Sequence, residues 1–96
     1  MSRQEVEQII INFLVPFAPK KVGIFGSFAR NEQNPDSDID LLVKFNDTPT
    51  LLELIKIENE LSLKLGLKVD LVTEASVKNK IIKSQIKKDL QIIYYA

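Results

Sequence analysis

The chain has 96 residues, with 13 basic and 13 acidic side chains and no formal net charge. That length fits one domain, spanning 1–96, near the lower end for a single core, and a neutral total offers no bulk attraction to nucleic acid. Cysteine and histidine are both absent, which excludes disulfides, thiolate metal sites and histidine-ligated zinc and leaves a carboxylate, a lysine or a metal-bound group as any general base. No apolar run reaches membrane-spanning length, and polar Ser2-Arg3-Gln4-Glu5 replaces the pattern of a signal peptide. No membrane partner is expected, and the expected location is cytoplasmic.

Ser2 and Glu5 have the spacing of a capping box, and Val6, Ile9, Ile10, Phe13 and Leu14 repeat as a helical stripe that Pro16 should close. Phe17-Ala18-Pro19 is a connector, and Lys21 to Phe25 is the first predicted strand. A short helix is expected from Ser27 to about Asn31, then a loop from Glu32 to Ser37 around Asn34-Pro35-Asp36, then a second strand from about Asp38 to Phe45. After the turn Asn46-Asp47-Thr48-Pro49-Thr50, a helix over Leu51 to Leu65 carries Leu51, Leu54, Ile55, Leu61 and Leu65, and Gly66 ends it. Leu67 to Thr73 is the third strand, with Asp70 facing away from Val69 and Leu71. Glu74 to Leu90 reads as a final helix with a stripe of Val77, Ile81, Ile82, Ile86 and Leu90. The apolar tail Gln91-Ile92-Ile93-Tyr94-Tyr95-Ala96 either extends that helix or packs alone. Three strands with flanking helices indicate an α/β two-layer domain, but element order alone does not fix strand order or direction.

The chemistry concentrates in Gly23-Ile24-Phe25-Gly26-Ser27-Phe28-Ala29-Arg30 and Ser37-Asp38-Ile39-Asp40-Leu41-Leu42-Val43. Gly26 can supply the positive φ of a sharp strand exit, and Ser27 with nearby N–H groups could face an anion. Asp38 and Asp40 alternate with Ile39 and Leu41, so both carboxylates share one face of a strand. Paired carboxylates with no cation between them repel, and hard oxygens suit Mg²⁺ or Mn²⁺. A phosphate-binding turn beside such a pair points to metal-assisted chemistry on a nucleotide. Taken alone, Asp38 and Asp40 could simply be exposed strand acids. An EF-hand reading of Asp36, Asp38 and Asp40 fails, because Leu41 takes the glycine position and Asp47 the place of the bidentate Glu. A P-loop reading fails for want of the terminal Gly-Lys-Ser/Thr.

The compound pattern of Gly26-Ser27, Ala29-Arg30, Ser37 and Asp38-Ile39-Asp40 resembles the signature of the polymerase-β-like nucleotidyltransferase superfamily. The string GSFAR…SDIDLLV is most similar to the minimal nucleotidyltransferases, often the antitoxin partners of HEPN-type toxins. The resemblance implies a small mixed sheet with helices packed on one side and a third acid on a later strand, which Val69-Asp70-Leu71-Val72 supplies. It further implies two Mg²⁺ ions held by Asp38, Asp40 and Asp70, ATP as substrate, and nucleotide binding by Gly26 and Ser27. The implied reaction moves a nucleoside monophosphate, AMP from ATP, onto a tyrosine hydroxyl of the HEPN partner.

Arg30, one turn after Ser27, is either a solvated surface charge or a contact for the triphosphate. Asn31 stands where the family commonly carries glycine, and Asn tolerates the left-handed conformation. Lys78, Lys80, Lys83, Lys87 and Lys88 are read as the wet face of the last helix, so a nucleic-acid partner is not expected. Tyr94 and Tyr95 belong either to the core or to a contact surface. With no second domain for base or acceptor, specificity is expected from a partner or an oligomer. Two other classes remain open: a binding-only antitoxin that does not need its acids, and a small-molecule nucleotidyltransferase, which usually needs an added substrate domain.

Overall fold

A computed structural model describes residues 1–32 and 37–96 of the chain. The predicted loop residues Asn34, Pro35 and Asp36 lie outside the described residues. Helix α1 spans Arg3–Leu14, and its N-terminus carries the full capping box: Ser2 Oγ accepts from Glu5 N–H and the Glu5 side chain returns to the Ser2 N–H. A single 3₁₀ turn over Val15–Phe17 carries the chain past Pro16 to Ala18, whose φ of 55° redirects it into β1. Strand β1 is Pro19–Phe25, β2 is Ile39–Phe45, α2 is Leu51–Leu65 and β3 is Val69–Thr73. Helix α3 covers Lys80–Asp89 and strand β4 covers Gln91–Tyr95.

The sheet has four strands in the order β3-β2-β1-β4. β1 pairs antiparallel with β2 and β4, whereas β2 and β3 run parallel, joined by α2 as the crossover. This is the mixed sheet expected. Alternation along the strands puts Val22, Ile24, Ile39, Leu41, Val43 and Val69 on one face, where Val6, Ile10 and Leu14 of α1 and Ile57, Leu61 and Leu65 of α2 close over them. The other face carries Gly23, Asp40 and Leu42, and α3 approaches it at Gly23, where Leu90 packs against the bare backbone.

Five predicted details change. The segment after Gly26 is a hydrogen-bonded turn rather than a helix, held by Arg30 N–H to Gly26 O (3.2 Å), Asn31 N–H to Phe28 O (3.2 Å) and Glu32 N–H to Ser27 O (2.9 Å). The last helix starts late, at Lys80, because Asn79 offers its side-chain oxygen to the N–H groups of Ile81 and Ile82 and caps a fresh start there. Only Ile86 of the expected stripe is buried; Ile81 and Ile82 are exposed. In α2, Leu51 and Ile55 face outward and Ile57 takes the core position instead. The tail forms β4, satisfying the open edge of β1, with Tyr94 packed against the core and Tyr95 exposed. All five lysines of the cluster are exposed, as expected of a wet face. No helix among the described residues is long and apolar enough to cross a membrane.

Candidate active site

The site is built where β1 ends and β2 begins. Asp40 lies opposite Phe25 in the β1–β2 pair and opposite Asp70 in the β2–β3 pair. The two carboxylates therefore project from adjacent parallel strands, whose spacing is about 4.8 Å. Asp38 stands one residue before β2, where the Ile39 N–H donates to Lys68 O at 2.9 Å and ties this end of β2 to the chain entering β3. Three acids that are 32 residues apart at the extremes are thus brought to one end of the sheet.

Gly26 follows Phe25 directly and turns the chain across Asp40 with φ of 77°. A Cβ on Gly26 would stand 2.2 Å from Asp40 Oδ2, so glycine is required here for space as well as for backbone conformation. The turn that follows closes at Asn31, which takes φ of 58°, a left-handed conformation that Asn tolerates. Ser27 is half-buried at the start of this turn, with its carbonyl engaged by Glu32 N–H.

The electrostatics are those of crowded carboxylates. Burial, then the charges of Asp70 and Asp38, push the Asp40 carboxyl above the usual range, with Arg30 opposing the shift. Burial also raises Asp70; Lys68 opposes that rise, and Asp38 and Glu58 add to it. Lys68 is a weak counterweight, 3.8 Å from Asp38 and 70% exposed. Among the described residues no three acidic side chains are gathered closely enough to hold an ion as they stand. The donor set nevertheless fits a hard divalent cation: it is all carboxylate oxygen, and a cation offsets both the burial and the acidic neighbours that raise Asp40 and Asp70. Binding would draw the three side chains together.

The Arg30 side chain is partly exposed. It forms ion pairs with Asp89 (2.6 Å) and Glu32 (3.0 Å), yet lies near enough to Asp40 to favour its ionised form. Three further residues with no local sequence signal hold the turn. Arg3 Nη1 donates to Phe28 O and to Asn31 Oδ1, both at 3.3 Å, and its guanidinium stacks over the Phe28 ring. Arg3 Nη2 also donates to Gln91 Oε1, while Gln91 Nε2 donates to Ala29 O at 2.9 Å. Arg3, Asp89 and Gln91 are far from the turn in sequence, and only the pairing of β4 with β1 brings the last two alongside it.

A family profile described as a nucleotidyltransferase domain matches residues 7–93. The chain is 43% identical over 98 residues to the protein adenylyltransferase MntA of Thermococcus cleftensis, covering 98% of this chain and 96% of that one. Among solved structures, a toxin–antitoxin complex with AMP-PNP superposes with a TM-score of 0.84 at 27% identity, over 94% of this chain and 73% of that one. The MNT antitoxin bound to a tri-AMPylated HEPN toxin of Shewanella oneidensis gives a TM-score of 0.81 over 99% of this chain and 74% of that one, and at 23% identity it speaks to the fold alone.

Proposed function

The chain belongs to the nucleotidyltransferase domain family, and from that premise we propose that it moves AMP from Mg²⁺-ATP to a tyrosine hydroxyl of a HEPN-type toxin, silencing it as an antitoxin. The observation that carries the reading is the facing pair Asp40–Asp70 with Asp38 beside it and the Gly26 turn laid over the Asp40 carboxylate. The relative named a protein adenylyltransferase supports transfer to protein, and the toxin–antitoxin neighbour with AMP-PNP supports both the nucleotide and the partner class.

In this reading Asp38, Asp40 and Asp70 hold the divalent ions. Bound Mg²⁺ would supply neutralisation of the charge on the reacting phosphates. The Gly26–Ser27 turn receives the β- and γ-phosphates through backbone N–H groups and the Ser27 hydroxyl. Arg30 adds a cation to the same phosphates. The acceptor oxygen forms the new P–O bond, the bond from the α-phosphorus to the bridging oxygen breaks, and pyrophosphate leaves with the electron pair. Asp70 takes the acceptor proton, a role that the absence of histidine leaves to a carboxylate. Positioning and charge neutralisation do most of the catalysis.

The test is the intact mass of a co-expressed HEPN-type partner after incubation with this protein, Mg²⁺ and each nucleoside triphosphate. The expected result is an added AMP from ATP that is absent with Asp40→Asn. A stable complex with no mass change would instead assign neutralisation to binding alone.

A further inference from the structure

Arg30 has two acidic partners. Its Nη1 is 2.6 Å from Asp89 Oδ2 and its Nε is 3.0 Å from Glu32 Oε2. These two acids are not equivalent. Glu32 comes from two residues along the same turn and its side chain is 64% exposed, whereas Asp89 is the last residue of α3 and only 27% exposed. An acid in the last turn of a helix meets the partial negative charge of the carbonyl end, which Lys87 and Lys88 suit and Asp89 does not. Nothing within α3 favours Asp89; its counterpart is Arg30, 59 residues away in sequence. The residues that follow are firmly seated, Leu90 against Gly23 and Gln91 on the carbonyl of Ala29, so the carboxylate is delivered to Arg30 by an anchored segment.

A carboxylate on a guanidinium uses the same N–H donors that a phosphate oxygen would use. We infer that Asp89 occupies the place on Arg30 taken by the terminal phosphates of the nucleotide, and so sets nucleotide affinity by competing with them. The inference rests on the reading of Arg30 as a triphosphate contact. A triphosphate arriving at Gly26–Ser27 has to displace Asp89 before Arg30 can engage it, and the ion pair given up is a cost subtracted from binding. Exchange of one carboxylate for a more highly charged phosphate chain remains favourable. Asp89 is therefore an affinity-determining residue outside the carboxylate site, and its removal improves binding where removal of a supporting residue would impair it.

The experiment is calorimetric titration of Mg²⁺-ATP into four proteins: the native chain, Asp89→Asn, Arg30→Ala and the double variant. Asp89→Asn is expected to tighten ATP binding about two- to fivefold, the range set by the strength of a partly exposed ion pair. Arg30→Ala is expected to weaken binding, and adding Asp89→Asn to it is expected to bring no gain, because the competitor then has nothing to compete for. Unchanged or weaker binding by Asp89→Asn overturns the inference and makes Asp89 a support of the turn. A similar gain with and without Arg30 also overturns it, since the effect is then the field of one negative charge. If Arg30→Ala binds ATP like the native chain, the assignment of Arg30 to the triphosphate falls and takes this inference with it. A loss in Arg30→Ala without a gain in Asp89→Asn leaves that assignment standing and removes the inference alone.

Discussion

Gly26 and Asp40 constrain each other. The glycine has a left-handed φ and no room for a Cβ beside Asp40 Oδ2, so Gly26→Ala combines backbone strain of about 1–2 kcal/mol with a displaced carboxylate. The expected outcome is loss of transfer with a measurable fall in urea stability, checked by unfolding curves alongside the mass assay. Asp40→Asn should behave in the opposite way on stability. Because burial and its acidic neighbours raise the Asp40 pKa, the folded protein holds more protons than the unfolded chain between the ordinary value of about 3.9 and the raised one. Stability of the metal-free protein therefore falls as pH rises through that window, and the penalty is complete above it. Asp40→Asn is expected to melt above the native chain at neutral pH without metal, with the difference vanishing below the ordinary carboxylate range. Transfer activity should fall by about 10²-fold or more, on the scale of losing one main electrostatic group.

Strand β3 is an edge strand, and α2 closes its outer side. Ser62 Oγ accepts from Val69 N–H at 3.0 Å and Glu58 Oε2 accepts from Leu71 N–H at 2.7 Å, on either side of Asp70. These caps block edge pairing and fix the strand that presents the third acid. Ser62→Ala is expected to cost about 1 kcal/mol, read by chemical denaturation. At the opposite edge, β4 does more than extend the sheet, because its first residue, Gln91, caps the carbonyl of Ala29 and receives Arg3. Deleting 91–96 removes the pairing of β1 with β4 and both turn contacts together. The truncated chain should unfold at markedly lower urea, whereas Gln91→Ala alone should cost about 1 kcal/mol and raise KM for ATP more than it lowers kcat.

The whole molecule is small, with a Cα radius of gyration of 12.5 Å, so ligand linkage should be visible in its melting. At 100 times Kd, Mg²⁺-ATP contributes about 2.7 kcal/mol, which for a domain of this size corresponds to a rise in Tm on the order of 10 °C. The rise should be absent for Asp40→Asn and is read by differential scanning fluorimetry. The same comparison inverts the metal-free ranking, since the native chain gains from the cation and the Asn variant does not.

Much of this protein is local in origin. Capping boxes at Ser2 and Thr50, the glycine at the end of α2 and the alternation through Asp38–Val43 act within a few residues, and their elements lie where the pattern puts them. The candidate acids were legible for the same reason, as was the left-handed tolerance of Asn31. The late start of α3 had a signal too, in Asn79, but a continuous run of lysine and isoleucine masked it. Residues 91–95 are rich in isoleucine and tyrosine, yet a short apolar run becomes a strand only if an open edge waits for it. Here β1 supplied that edge. That pairing, rather than any motif, sets Asp89 on Arg30 and Gln91 on the turn, because contacts between residues 59 and 62 positions apart depend on where the sheet places the chain.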